Sequence, residues 1–330
     1  MSWSDFATAE RHKRQKVPTQ ALLDVSAQRW LASANPRQLQ TALSASTKDK
    51  RPGAGDWLTA TPSRDEVTFR DDVYRFSLRL RLGLPLADPD DRCLVFNNST
   101  HRTCGRSVSA WADHAPGCAK AARNLRHNWL RDWWLKVAQE AGARAAKEQD
   151  VVEYAPQAHL RCDVRATLAP GQPPTYYDVV VSHPFTTGVP TGNVGELRLA
   201  EPKADAAVDA GERSKRQDYA PPAGLVQVKL VPLAFDTFGR WGDAAAKELR
   251  SLARLRASLP DVLRSGRSQS VRCAVLSRWR NSASCLLQKG NFEAWAECVG
   301  RRAASEQCES GVEGPLGFLD YFLARDCMAF

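Results

Sequence analysis

The sequence predicts an α/β protein. Three observations carry that expectation. An amphipathic run spans Arg126–Ala141, and short runs rich in β-branched and aromatic residues follow between 151 and 182. A second helical stretch at 201–219 then leads into one more strand-like run. Strands that alternate with helical patterns of this length mark a sheet covered by helices. At 330 residues and 43% hydrophobic content, the chain can fill such a core.

In chain order, residues 1–52 are polar, with weak helix expected over Ala21–Leu43 and a linker where Pro52-Gly53 breaks the pattern. Within 53–86, Phe76, Leu78, Leu80 and Leu82 alternate as in a strand, whereas Val73, Phe76 and Leu80 share a helix face. Periodicity leaves both open. Residues 87–120 are turn-rich and hold the first three cysteines. In the helix that follows, Trp129, Leu130, Trp133, Trp134, Val137, Ala138 and Ala141 recur at helical spacing, and Gly142 supplies the stop. Its tryptophans are read as core rather than as base-stacking platforms.

Strands are expected at Val151–Tyr154, Leu160–Thr167 and Thr175–Ser182, the last two joined into a hairpin by Pro170–Pro174. Glu201-Pro202 opens a helix to Tyr219, and Pro221-Pro222 ends it. Leu225–Val231 reads as a strand, Asp243 as the cap of a helix to Leu259, and 260–330 as a helical tail.

The formal net charge of +9 favours phosphate-bearing partners. Nine cysteines, an odd number, behind a polar N-terminal stretch argue for thiols or metal ligands rather than a secreted disulfide scaffold. No run is long and apolar enough for a membrane span, so an intracellular protein is expected. Arg11–Lys16 reads either as a nuclear import signal or as a solvated basic helix end.

Two aspartates stand at the rims of apolar runs: Asp163 in Arg161-Cys-Asp-Val164, and Asp178 in Asp178-Val-Val-Val181. Carboxylates at neighbouring strand edges suit a hard divalent ion, though each also fits a plain turn or strand end. Lys215 shares a helix face with Glu212 and Tyr219; it would either reach the carboxylates or form a surface pair with Glu212. Cys93, Cys104, His114 and Cys118 form a candidate zinc set, with His101 a rival to Cys93 because the Cys93–Cys104 gap is wide. Free buried thiols are the alternative. Arg126-His127-Asn128 at a helix start would meet a phosphate or simply cap the helix.

Taken in order, these motifs resemble the C-terminal region of non-LTR retrotransposon polyproteins. The shared order is Cys…Cys104-Gly…Asp113-His…Cys118, Arg126-His-Asn, Arg161-x-Asp-Val, Asp178-Val-x-Val and Lys215-x-x-x-Tyr219. Further similarity lies at Gly53–Leu58, Leu80–Leu86, Leu230–Gly239 and Leu286–Asn291, so the resemblance covers most of 53–300. It implies a zinc knuckle followed by a restriction-like endonuclease of the PD-(D/E)XK superfamily, with a mixed sheet flanked by helices. The implied segments are an N-terminal piece at 1–52, a post-polymerase linker at 53–86, the knuckle at 87–125, the nuclease core at 126–259 and the tail at 260–330.

It further implies a nuclear, Mg²⁺- or Mn²⁺-dependent enzyme that nicks DNA, with element RNA as a second candidate partner. Asp163 and Asp178 would hold the ion, Lys215 would assist, Cys93, Cys104, His114 and Cys118 would hold Zn²⁺, and Arg126, His127 and Arg161 would contact nucleic acid. Four departures stand out. Val180 occupies the place of the usual lysine, Cys162 that of a common proline, Asp218 that of a second lysine, and Asp236 that of a frequent glutamate. No polymerase motif is present, which implies a fragment, a domesticated copy or a decayed one. A binding remnant without cleavage and a structural or interaction protein remain as alternatives.

Overall fold

A computed structural model describes residues 28–29, 32–45, 53–97, 100–118, 120–154, 159–169, 171–185 and 205–300. Its centre is a four-stranded mixed sheet in the order β3-β4-β5-β6, built from Arg144–Asp150 (β3), Arg161–Thr167 (β4), Thr175–Ser182 (β5) and Lys229–Asp236 (β6). β3, β4 and β5 run antiparallel in sequence, and β6 lies parallel to β5. Pro232 falls in β6, an edge strand, where a missing N–H costs little.

Two helices, α4 (Lys120–Glu140) and α6 (Asp243–Ala257), pack on one face of the sheet, and α8 (Ser268–Cys298) packs on those two helices. Trp133, Trp134 and Val137 of α4 meet Tyr177, Val179, Leu233 and Phe235 of the sheet, joined by Leu249, Leu252 and Trp279. Trp133 and Trp134 are therefore core, as their spacing predicts, whereas Trp129 is only half-buried and lies outside the core cluster. Tyr177 and Val179 face this core, so alternation turns Tyr176, Asp178 and Val180 to the other face. There α5 (Ala206–Asp218) lies against β5 and β6.

α5 sits close because Gly211 lacks a side chain: a Cβ there would lie 3.1 Å from Val180 Cγ1 and 3.2 Å from Ser182 Oγ. Glu212 is turned away from Lys215's partners. Its Oε1 accepts the Ala244 N–H at 2.9 Å and caps α6, a role the sequence assigns to Asp243. The residue at the N-cap itself is Gly242, with no side-chain cap of its own.

The segment 53–86 is packed rather than a free linker. The turn Asp56–Thr59 buries Trp57, whose N–H donates to Ser284 Oγ of α8 at 3.2 Å. Asp71–Leu82 is helix (α2), with Val73, Phe76 and Leu80 buried, and Gly83 at φ +64° closes it with N–H bonds to Arg79 and Leu80. The helix face, not the strand alternation, describes this run. Pro36–Ser44 forms α1 inside the helix expected at 21–43, the rest of which lies mostly outside the described residues.

Two further expectations need correction. The strand placed at Val151–Tyr154 is a turn, and the strand lies just before it as β3. Arg-Ala-Ala-Lys-Glu-Gln-Asp carries no apolar alternation because β3 is an exposed edge strand. The run at 260–300 is not a tail: α7 (Pro260–Arg264) is short, and α8 threads both hydrophobic cores. Val275, Trp279 and Leu287 of α8 belong to the sheet core. Phe292, Trp295 and Cys298 belong to a second core with Phe76, Cys93 and Val108. Residues 301–330 lie outside the described residues.

Asp236 ends β6 fully buried, its Oδ1 accepting the N–H groups of Phe238 and Arg240 at 2.9 Å each. Burial pushes its carboxyl up to about 7, against the pull of those bonds and of Arg240. The folded state therefore holds a proton that the unfolded chain releases near its ordinary value. The stability this contributes is present at low pH and is lost as pH rises from about 4 to about 7. Asp236→Asn should gain stability relative to wild type across that window, read as a thermal-midpoint difference that grows with pH; a pH-independent difference would contradict the assignment.

Candidate functional site

The central strand β4 loses its pairing on both sides at one residue. The β4–β5 ladder ends at Val164–Tyr177, and the next step would set Asp163 opposite Asp178. Instead, the Val179 N–H donates to Asp163 Oδ2 at 2.7 Å. On the other edge the β3–β4 ladder skips the pair Glu148–Asp163, and Glu148 holds φ +55°. Such interruptions free a side chain from the pleat and re-aim it.

Three side chains close on this fork. His127 from α4 places Nε2 3.0 Å from Asp163 Oδ2. From α5, Lys215 Nζ lies 2.7 Å from Asp178 Oδ1. The Tyr219 hydroxyl, just past the end of α5, bonds to Asp178 Oδ2 and lies 2.8 Å from the Arg161 carbonyl. Asp178 is 6% exposed. Burial and the Asp163 charge raise its carboxyl above the ordinary range, against Lys215 and Tyr219. Burial alone would lower His127, but its bond to Asp163 and the charge there turn the shift upward. Tyr219 is raised by burial and by Asp178.

Thus the three residues Asp163, Asp178 and Lys215, far apart in sequence, converge. Val180 points to the same face as Asp178 but packs against Gly211. Lys215 stands one helical turn beyond Gly211, so the close approach of α5 delivers its ammonium to Asp178.

The predicted nucleic-acid contacts divide. Arg161 is largely exposed at the rim, its guanidinium bonded to Glu148. His127 serves Asp163, as above. Arg126 is not a surface residue: it is 1% exposed, with Nη1 2.7 Å from Asn291 Oδ1 and Nη2 3.4 Å from the Pro116 carbonyl. Burial lowers its guanidinium to about 10. Gly290 makes room for it, since a Cβ there would lie 2.6 Å from Arg126 Cβ. A residue so enclosed ties α4 to α8 and does not meet a phosphate at the surface.

The cysteine set forms a second centre. Ligand atoms of Cys93, Cys104, His114 and Cys118 all lie within 4.8 Å of one another, an arrangement that could hold a metal ion. Cys93 Sγ is 3.6 Å from Cys118 Sγ, and Cys104 Sγ is 3.3 Å from His114 Nε2. The wide Cys93–Cys104 spacing is a hairpin. Phe96–Asn97 (β1) pairs with Arg102–Thr103 (β2), and Gly105 N–H returns to the Cys93 carbonyl at 2.9 Å. His114 and Cys118 are brought together by one turn, Ala115–Cys118 (α3), with Cys118 N–H on the His114 carbonyl. His101 lies outside the set: it is exposed in the hairpin turn at φ +50°, its ring 6.5 Å from that of Phe96.

The electrostatics of the thiols divide. Burial works against the Cys104 thiolate, yet the Arg106 backbone N–H, the neighbouring thiols and the Arg106 charge bring its pKa below the usual value, whereas burial and then Cys104 and Cys93 push the Cys118 thiol well up. Burial, then Arg106, lowers His114 and keeps the imidazole neutral.

Two participants were not singled out from sequence. Tyr219 was noted on the Lys215 face but given no role. Cys298 arrives at the cluster from the end of α8, with Sγ 3.2 Å from Cys93 Sγ. Its only sequence signal is a cysteine near the end of an apolar helix.

No protein-family model matches the chain, and a search of curated proteins finds no similar sequence.

If the quartet holds a metal, chelator-treated protein should gain thermal stability on addition of one equivalent of Zn²⁺, and Cys118→Ala should gain none. An equal shift in both would remove the cluster as the binding site.

Proposed function

We propose that this chain is a divalent-metal-dependent DNA endonuclease of the restriction-like PD-(D/E)XK kind, related to the nuclease region of non-LTR retrotransposons. The observation that supports this most is the meeting of Asp163, Asp178 and Lys215 at the fork in the sheet, with Lys215 on Asp178 at 2.7 Å. The donors are hard oxygens, which suit Mg²⁺ or Mn²⁺. Asp178, whose proton affinity is raised by burial and by the Asp163 charge, would gain from a cation shared with Asp163.

Asp163 and Asp178 would hold the ion, which would polarise the scissile phosphate and activate a water. Lys215 carries positive charge beside Asp178, where it would counter negative charge building on the phosphoryl oxygens. Tyr219 fixes Asp178 Oδ2, and His127 fixes Asp163 Oδ2, so both carboxylates are held in one orientation. Arg161, exposed at the rim, would meet the DNA backbone. The Cys₃His set has the mixed sulfur and nitrogen donors that zinc takes tetrahedrally, and the knuckle around it would dock the nucleic acid.

A second reading is a nucleic-acid-binding module of the same fold without cleavage. Val180 in place of the strand lysine favours it, as does an Asp178 already engaged by both Lys215 and Tyr219.

Plasmid nicking separates the two. With Mg²⁺ or Mn²⁺, wild type should nick supercoiled DNA, and Asp178→Ala should lose activity by at least about a hundredfold while still binding DNA. Lys215→Ala should fall similarly in rate. Nicking unchanged in Asp178→Ala sinks the nuclease; a wild type that binds with steep salt dependence but never nicks leaves the binding module.

A further inference from the structure

We propose that the metal centre carries five donors for four positions, with Cys298 placed to take over the ligand position of Cys93. This rests on the reading that the Cys/His quartet holds a metal ion. It adds a residue about 180 positions downstream, supplied by a different structural element.

Two contacts place Cys298 beside the centre, outside the mutually close quartet but against Cys93. Its carbonyl accepts the Leu94 N–H at 2.8 Å, which pins the end of α8 to the strand segment that carries Cys93. Its Sγ then lies 3.2 Å from Cys93 Sγ, closer than Cys118 Sγ at 3.6 Å. Both Cys93 and Cys298 are buried, at 1% and 0% exposure, so the two thiols face each other and not solvent.

The geometry suits substitution. Metal–sulfur bonds of about 2.3 Å in a tetrahedron set sulfur–sulfur edges near about 3.8 Å, and the Cys93–Cys118 edge is close to that value. Cys298 is within one such edge of the position Cys93 occupies. Removing the Cys93 sulfur opens volume beside the Cys298 sulfur, and a side-chain rotation would carry it inward. While Cys93 remains, the Cys298 S–H donates to its sulfur, the kind of outer contact that orients a ligand. Anchoring by Leu94 N–H keeps the replacement within reach whichever sulfur binds.

Cobalt binding to the chelator-stripped full chain tests this, because near-ultraviolet charge-transfer intensity follows the number of bound thiolates. Wild type, Cys298→Ala and Cys93→Ala should each show three, and Cys93→Ala/Cys298→Ala two. Cys93→Ala should lose no more than about tenfold in cobalt affinity, and the double variant about a hundredfold or more. Cys93→Ser, which keeps the side-chain size, should behave as Cys93→Ala does. A wild type without the band overturns the metal reading and this inference with it. A wild-type band accompanied by identical two-thiolate spectra in Cys93→Ala and the double variant overturns the inference alone. A Cys93→Ala chain that cobalt cannot fold also counts against it.

Discussion

At Asp163 the sheet gives up its own hydrogen bonding, and the arrangement of the site follows from that. The Asp163 carboxylate accepts the Val179 N–H that the ladder leaves over, so a side chain replaces a backbone carbonyl. A buried amide left without a partner would cost about 1–3 kcal/mol, so this bond both stabilises the fork and fixes the carboxylate. Asp178, on the strand just across, is then held beside it on the face covered by α5. His127 completes the fixing of Asp163 from the opposite layer. The two acids are thus set by main-chain geometry rather than by flexible surface contacts.

A second coupling runs along α8. The helix joins the sheet-side core through Trp279 and Leu287, and the core around the Cys/His cluster through Trp295 and Cys298. Buried polar contacts reinforce the join. Arg37 of α1 grips Asp113 beside His114 of the Cys/His cluster, and Asp113 Oδ1 lies 3.0 Å from His183 Nε2. His183 Nδ1 reaches Thr237 Oγ1 at 2.7 Å, which ties the cluster to the ends of β5 and β6. The order Thr–His–Asp matches that of a nucleophile, base and orienting acid. With Thr237 at 1% exposure and its carbonyl taken by Asn291, however, it is a sealed brace. Breaking one partner of such a buried network costs more than any surface pair.

How much of this was legible in the sequence depended on which side of each element faces the core. β5 was read with its observed limits because its apolar run is buried, whereas β3 was missed because an exposed edge strand needs no apolar alternation. Asp163, Asp178, Lys215 and the Cys/His quartet were found because chemistry-bearing side chains in a fixed order are visible without a fold. Arg126 does not stand at a helix start: α4 begins at Lys120, and Gly290 and Asn291, about 165 residues away, enclose the arginine. Cys298 was invisible for the same reason: its neighbours are set by where a 31-residue helix ends. Long-range enclosure has no local pattern to read.

Val180 is the point where packing and the charged site meet: it lies on the same face as Asp178 and packs against Gly211. A valine there lets α5 settle against the strand, with only 3.1 Å between Val180 and a would-be Cβ of Gly211. The same approach brings Lys215, four residues on, to 2.7 Å from Asp178. The positive charge next to Asp178 comes from the helix, and the small residue at 211 and the β-branched residue at 180 allow that close approach together. A side chain at 211 would press on Val180 and Ser182, and the helix that carries Lys215 would have to give by a few tenths of an ångström.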